Sequence, residues 1–415
     1  MERKGFTRLE KYWILYDVGN SAFTMLISTI IPIYFNYLAG NAGLSEVDYL
    51  AYWGYAASCA TVIVALLGPV LGSIADTQSY KKPLFTVSMM VGVLGCAALS
   101  LPRSWTVFLA VFVIAKVGYN ASLIFYDSML VDVTTKERFD KVSSNGYAWG
   151  YIKSCIPFII SLVFVLMYES IGITMQTAMA IAFLLNAVWW FGVTFPLLKV
   201  YKQKNYMKMQ EHPVRESFRR LRATLGDIRG QKHIFMYLLA FFCFIDGVYT
   251  IIEMATAYGS ALGLDSSGLL LALLVTQIVA FPCALVFSVL SKKYPTDRLI
   301  QVCILAYTGI ALFAIQLDKQ WEFWLLAVLV GMFQGAIQAL SRSYFARIIP
   351  AEKSGEYFGI YDICGKGASF VGTTLVGVVA QLTGIANAGV AVISMMFIIG
   401  YFLFLKAAKL NRNLK

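Results

Sequence analysis

Long apolar runs broken by short polar joints dominate the pattern of this chain. A membrane-crossing helix needs about 20 apolar residues. Twelve runs reach that length: 12–38, 51–75, 83–101, 105–130, 143–167, 174–197, 233–258, 267–291, 298–317, 321–345, 357–382 and 385–406. The pattern predicts an all-α membrane protein of twelve spans. One polar stretch, 199–232, is far longer than the other joints and divides the chain into six-span halves, 1–198 and 233–415. Inside it Val214, Phe218, Leu221 and Leu225 recur at helical spacing among Arg and Lys, which predicts an amphipathic helix lying on the membrane surface. A site for a regulatory partner is the other reading of that linker.

Several runs carry a polar face. In the tenth, Gln334, Gln338, Ser341 and Arg342 fall at spacings of four, three and one, on one side of a helix. An arginine facing lipid at mid-bilayer costs about 3 kcal/mol or more, so this face must meet protein or water. The first run repeats the pattern with Asp17, Asn20, Ser21 and Thr24, and the fourth with Lys116, Tyr119, Asn120 and Asp127. The seventh carries Asp246, Tyr249, Thr250 and Glu253; the eleventh places Asp362 and Lys366 one turn apart, next to Tyr361. In the fifth, Gly146, Gly150 and Ser154 form a small-residue seam for close packing, with Lys153 beside it. The bland expectation is static pairing: Lys116 or Lys153 with an acid of a neighbouring helix, Arg342 with Asp17 or Asp362. The functional one is that buried ionisable groups border a shared aqueous pathway.

Composition agrees with the pattern. The chain is 59% hydrophobic and 14% charged, against about 25% charged in soluble domains. The net charge of +11 belongs to loops on one side, so no nucleic-acid partner is expected. Placing the N-terminus in the cytosol puts Arg3, Lys4, Arg8, Lys11, Lys81, Lys82, Lys136, Arg138, Lys141, the linker, Lys292, Lys293, Arg298, Arg342, Arg347, Lys353 and the C-terminal tail inside; the outer joints hold Arg103 and Lys319. This predicts a multi-pass protein of the cell inner (plasma) membrane with both termini cytoplasmic. Trp53, Trp105, Trp321 and Trp324 then sit at outer ends as belt residues, and Trp13 at an inner end. The polar, basic first eleven residues and the long run after them do not read as a cleaved leader.

Little in the chain suggests catalysis. Cys59, Cys96, Cys155, Cys243, Cys283, Cys303 and Cys364 lie in apolar runs without metal-like spacing and read as buried thiols. The histidines, His212 and His233, lie in or beside the linker, so no histidine relay inside the membrane is expected. Gly365-Lys366-Gly367 lacks the spacing and the Ser/Thr of a phosphate loop. No enzyme activity, cofactor, metal or ATPase subunit is expected.

A shift of 215 residues lays Glu137-Arg138 on Glu352-Lys353, Gly150 on Gly365 and Ser154 on Ser369. Duplicated halves are the plan of a rocking transporter whose site lies between repeats. At the end of the second run, Gly68-Pro-Val-Leu-Gly72-Ser-Ile-Ala-Asp76 is followed by Lys81 and Lys82. This resembles the inner-loop signature of the major facilitator superfamily. Gly72 allows close helix contact, and Asp76 caps a neighbouring helix or pairs with a cation to latch one conformation.

Five further stretches resemble one branch of that superfamily, the vacuole-effluxer (autophagy-related amino-acid effluxer) family. They are Trp13-Ile-Leu-Tyr16-Asp17-Val-Gly-Asn20-Ser21-Ala-Phe23, Phe125-Tyr126-Asp127-Ser-Met-Leu, Val142-Ser-Ser-Asn-Gly146-Tyr-Ala-Trp-Gly150-Tyr, Gln334-Gly-Ala-Ile-Gln338-Ala-Leu-Ser341-Arg342-Ser343 and Tyr357-Phe-Gly-Ile-Tyr361-Asp-Ile-Cys-Gly365-Lys366. Together they span nearly the whole chain, and its lack of large insertions is similar to bacterial members. The resemblance implies transport, with amino-acid export from the vacuole in fungal members. Three positions depart from the family pattern: Val18-Gly19 for Trp-Ala, Asp127 for asparagine, and Lys153 for a small residue.

The expected function is secondary-active transport by alternating access, a proton-coupled efflux of amino acids or similar small zwitterionic or anionic solutes. Asp246, Glu253, Asp17, Asp127 and Asp362 are the candidates for proton coupling. Asn20, Lys116, Tyr119, Asn120, Lys153, Tyr249, Gln334, Gln338, Arg342, Tyr361 and Lys366 are those for the solute cavity, with the cations holding a carboxylate. Gly72, Asp76, Lys81 and Lys82 are those for the latch. The partners are the bilayer, a small solute and protons or another coupling ion, and a monomer is expected. Efflux of amphipathic drugs or lipids is one alternative; a transporter-like receptor signalling through its linker is another.

Overall fold

The computed structural model describes residues 5–208, 219, 223–224, 226, 230–261, 266–383 and 386–414. Its helices are α1 (Arg8–Ser28), α2 (Ile30–Asn41), α3 (Glu46–Ala75), α4 (Lys81–Ala98), α5 (Trp105–Ser128), α6 (Leu130–Val133), α7 (Phe139–Leu166), α8 (Tyr168–Ile171), α9 (Met175–Val200), α10 (Lys232–Ala261), α11 (Ser266–Leu290), α12 (Thr296–Ala314), α13 (Gln320–Ile348), α14 (Ser354–Thr383) and α15 (Ala386–Arg412). Among the described residues, ten segments are long and apolar enough to cross a membrane. The runs expected at 83–101 and 357–382 are the long helices α4 and α14, packed among those ten.

The ends of these helices follow local chemistry. Thr7 and Glu10 form a reciprocal cap at the start of α1, and Ser45 and Thr174 cap α3 and α9. The first run is broken at Thr29. Pro32 supplies no amide for the Ser28 carbonyl, and the Thr29 hydroxyl donates back to the Met25 carbonyl at 2.6 Å. Outside, large apolar side chains such as Leu66, Val188 and Phe402 stand exposed, the skin expected of a body in lipid.

Helices before residue 200 meet helices after residue 230 along one seam: α3 on α14, α7 on α11 and α13, α5 on α14. The seam is tightest at the end of the bundle that carries Lys81, Lys136, Lys292 and Lys353, the basic face. There Gly72 and Gly68 of α3 meet Gly355 and Gly359 of α14 backbone to backbone, and a Cβ on Gly359 would lie 2.7 Å from the Gly68 carbonyl oxygen. Polar contacts across the seam run from this face to mid-bundle, where Lys366 Nζ donates to the Asn120 carbonyl at 3.3 Å and the Tyr151 hydroxyl to Gln338 at 3.2 Å.

Two expectations are corrected or set aside here. Trp13 is no interface anchor: it is buried, stacks on Tyr126 at 4.4 Å and donates its indole N–H to the Tyr126 carbonyl. The amphipathic pattern at 214, 218, 221 and 225 lies outside the described residues.

Candidate functional site

The seam holds a buried charge cluster at its centre. The Arg342 guanidinium, from α13, donates through Nη1 to Asp127 at 2.9 Å and through Nη2 to Asp17 at 3.2 Å. Its Nε reaches the Ser143 hydroxyl at 2.9 Å and Nη2 the Ser143 carbonyl at 3.1 Å. The rings of Trp13, Tyr126 and Tyr147 surround it at 4.7, 5.5 and 4.5 Å. A planar fork bonded on every nitrogen and faced by π-electrons is the arrangement that makes a buried arginine tolerable. Gly146 permits the approach, because a Cβ there would overlap the Asp17 carboxylate. Gly150 likewise faces the Ser21 hydroxyl, and Ser154 donates to the Met25 sulfur at 3.4 Å, so the small-residue seam of α7 packs on α1.

The other cavity candidates lie around this cluster. Lys366 pairs with Asp362 at 2.6 Å, one turn back on α14, so Arg342 binds Asp127 where Asp362 had been the alternative. Tyr119 meets Thr24 hydroxyl to hydroxyl at 2.8 Å. The Asn20 amide nitrogen is buried with no partner among the described residues, a donor placed for a solute or water oxygen. Tyr361 stacks between Phe241 at 4.0 Å and Phe345 at 4.8 Å. Tyr249 lies against Gly365. Gln334 borders a small apolar recess walled by Ile251, Leu273, Phe323 and Val330.

Aromatic rings flank two of the intramembrane lysines. Lys153 rests 4.6 Å over the Trp149 ring and Lys116 5.8 Å over Phe112. Asp246 accepts from the Gly372 amide at 3.0 Å and the Thr250 hydroxyl at 3.3 Å, between α10 and α14 and away from the seam. Glu253 has a place on α10, but its side chain lies outside the described residues.

Two polar clasps shut the basic face below the cluster. In the first, Asp76 accepts from the Gly355 and Glu356 amides at 2.7 and 2.8 Å, capping α14, while Lys81 stands 3.6 Å from it. Asp76 therefore plays both parts expected of it. Lys81 also donates to Ser354 at 2.8 Å and faces Asp132 at 3.8 Å. Lys82 does not enter the clasp; its carbonyl receives the Thr86 hydroxyl within α4. In the second clasp, Asp140 of α7 takes hydrogen bonds from Ser343, from Thr296 at 2.7 Å and from Arg347 at 3.0 Å.

Residues 201–208 strap the first clasp from beneath. Tyr201 donates to Asp132 at 2.6 Å, and the Asn205 amide and side chain do so at 2.8 and 2.9 Å. Burial and the Asp132 charge hold the Tyr201 phenol well above its ordinary pKa, so it remains a donor at neutral pH. Gln203 reaches the Ala75 carbonyl at 3.0 Å, and Met207 pairs backbone to backbone with Asp76 and Gln78. Asp132→Ala strips Lys81 of one of two carboxylates and orphans these donors. The melting temperature in detergent is expected to fall, for a loss of about 3 kcal/mol or more, while Lys82→Ala melts like the parent. Equal melting of both would remove the strap from the account.

Sequence reasoning missed Asp132, Asp140, Arg347 and the strap. Asp132 and Asp140 flank the Glu137-Arg138 joint, and Arg347 lies in a basic loop, so each passed for ordinary surface polarity. The one available signal was that Asp132 and Asp140 abut long apolar runs, where a carboxylate lying just inside the bundle has to find a partner.

Comparison with known proteins places the chain in a family. The family model described as "Vacuole effluxer Atg22 like" matches residues 8–137 and 131–413. An uncharacterized MFS-type transporter, YxiO of Bacillus subtilis, is 40% identical over 402 residues, covering 96% of this chain and 94% of that one. Autophagy-related protein 22-2 of Aspergillus niger is 22% identical over 294 residues, 62% of this chain and 49% of that one. Among solved structures, a bacterial homologue of the iron transporter ferroportin in an outward-facing state superposes with a TM-score of 0.76 at 13% identity, covering 97% of this chain and 100% of that one. The transporter FucP in its outward conformation gives 0.70 at 14%, over 96% and 97%. Those two likenesses speak for the fold alone. Matched nearly end to end by the family model and by the Bacillus relative, this chain is a member of the Atg22-like vacuole effluxer family of MFS-type transporters.

Proposed function

We propose that this chain is a secondary-active carrier working by alternating access, with twelve spans in two halves, 1–198 and 233–415, joined by a cytosolic linker, 199–232. The observation that carries this reading is the Arg342–Asp17–Asp127 cluster, set across a seam that is clasped at one face. Ionisable groups inside a membrane bundle pair with one another and mark solute or ion pathways, and this set pairs across the seam between the halves. The excess of Lys and Arg on the clasped face supports a cytosolic assignment of that face and of both termini, in the cell inner membrane.

The transported solute is an amino acid or similar small zwitterion, exported against protons. Family membership supports the class, and the unpartnered Asn20 amide, Asn120, Tyr119 and Lys366 supply polar groups for it. Lys366, itself paired with Asp362, and Lys116 and Lys153 are the cavity cations proposed for a carboxylate. The apolar recess beside Gln334 favours a second reading, efflux of amphipathic drugs or lipids. Counterflow of a labelled mixture of the twenty amino acids in proteoliposomes tests the first: uptake into preloaded vesicles is expected, and its absence sinks the amino-acid reading. A reporter fused after Lys415 is expected to read cytosolic; an external reading overturns the orientation.

A further inference from the structure

We propose that Asp127 is the coupling carboxylate: it takes a proton as its ion pair with Arg342 parts, and so licenses the basic face to open. The inference rests on the carrier reading above. Three observations lead to it. The cluster holds two carboxylates and one guanidinium, one negative charge in excess. Asp127 is its most exposed member, with a side chain 20% accessible against 8% for Asp17 and 2% for Arg342. Third, Asp127 and Arg342 are 215 residues apart, the offset that lays Glu137-Arg138 on Glu352-Lys353. The pair therefore joins one position of two repeats, an acid in the first and a base in the second, and it lies on the axis about which the halves would rock.

The step balances simply. With both acids ionised, the seam is crossed by two charge-assisted bonds, and parting them strands buried carboxylates. Proton transfer from the aqueous cavity to an Asp127 carboxylate oxygen breaks the ionic bond to Arg342 Nη1. It leaves one neutral Arg342–Asp17 pair, and the proton departs on the other side. The parted state binds the proton more tightly because it has lost the cation, so acid favours opening of the basic face. The charged and titratable groups around Asp127 are Arg342 from α13, Asp17 and Tyr16 from α1, Tyr119 and Tyr126 from α5, Tyr147 from α7, Tyr249 from α10, and Asp362 and Tyr361 from α14. Asp362 has its own cation in Lys366. The tyrosines are neutral donors. Asp127→Asn keeps the size and shape of the side chain and removes its charge.

The test is a distance across the basic face. Spin labels go on Lys82→Cys and Lys353→Cys in a background with the seven native cysteines replaced, in nanodiscs titrated from about pH 8 to about pH 5.5. The parent is expected to shift from a short to a longer separation as pH falls. Asp127→Asn is expected to show the longer separation throughout, with the pH response reduced at least about tenfold, and Asp48→Asn, at the exposed start of α3, to titrate like the parent. An Asp127→Asn protein that titrates like the parent, or a parent with no response, overturns the proposal. Counterflow measured on the same samples separates this from the carrier reading. Counterflow kept in Asp127→Asn leaves both standing once its pH response is lost, whereas no counterflow in the parent fails the carrier reading itself.

Discussion

Arg342→Ala is expected to abolish counterflow and to lower the melting temperature sharply. The substitution leaves Asp17 and Asp127 facing each other in a buried seam, with the Ser143 oxygens unserved. Breaking a buried pair by removing one partner costs about 3–5 kcal/mol, because the stranded charge stays buried. Two carboxylates share the one guanidinium, so the upper end of that range applies. Arg342→Lys keeps the charge and loses the fork; it cannot reach Asp17, Asp127 and Ser143 together. It should recover part of the melting temperature with counterflow still below about a tenth of the parent rate, roughly 1.4 kcal/mol or more of lost function. Melting curves and counterflow on the same preparations check both, and an alanine variant that carries solute at the parental rate contradicts the assignment.

Gly72→Leu is expected to lock the carrier out of its clasped state while leaving each set of helices folded. A Cβ at Gly72 would overlap the Gly355 carbonyl, and the atoms it meets are backbone. Gly355 cannot retreat cheaply, since its amide is held by Asp76 at the start of α14. Overpacking costs about 1–3 kcal/mol where side chains can rearrange. Two backbones in contact cannot, so the closed population should fall by at least about a hundredfold, the equivalent of roughly 3 kcal/mol. Transport falls with it. The melting temperature moves much less than in Arg342→Ala, because the wedge is relieved once the seam opens. Parental counterflow in this variant would mean that contact of the glycines is dispensable.

The parts legible in the sequence were those with a period or a strong cost. Apolar runs near 20 residues located the long helices to within a few positions. The tenth run advertised Arg342, because no charge there could face lipid. The glycine–aspartate element before Lys81 announced a clasp, and Asp76 indeed caps α14 and stands beside Lys81. What stayed hidden were partnerships. Helical spacing puts Asp362 and Asp17 on inward faces alike, but it does not say which carboxylate Arg342 meets; Asp362 is taken by Lys366, one turn away. Trp13 had the composition of an interface residue and became the lid of a charge because Tyr126 stacks under it. Asp132 gathers the strap from residues some seventy positions later, which no local pattern signals. The break at Thr29 was readable in principle from Pro32, three residues beyond.

Transport by alternating access requires the clasped face to open. Lys82→Cys and Lys353→Cys, in the background without native cysteines, can be joined across the clasped face by a reducible bifunctional thiol cross-linker. Counterflow of the amino-acid mixture should vanish when the link is formed and return on reduction, with each single variant unaffected by the cross-linker. Full counterflow through a protein whose link is shown to be formed would contradict that requirement.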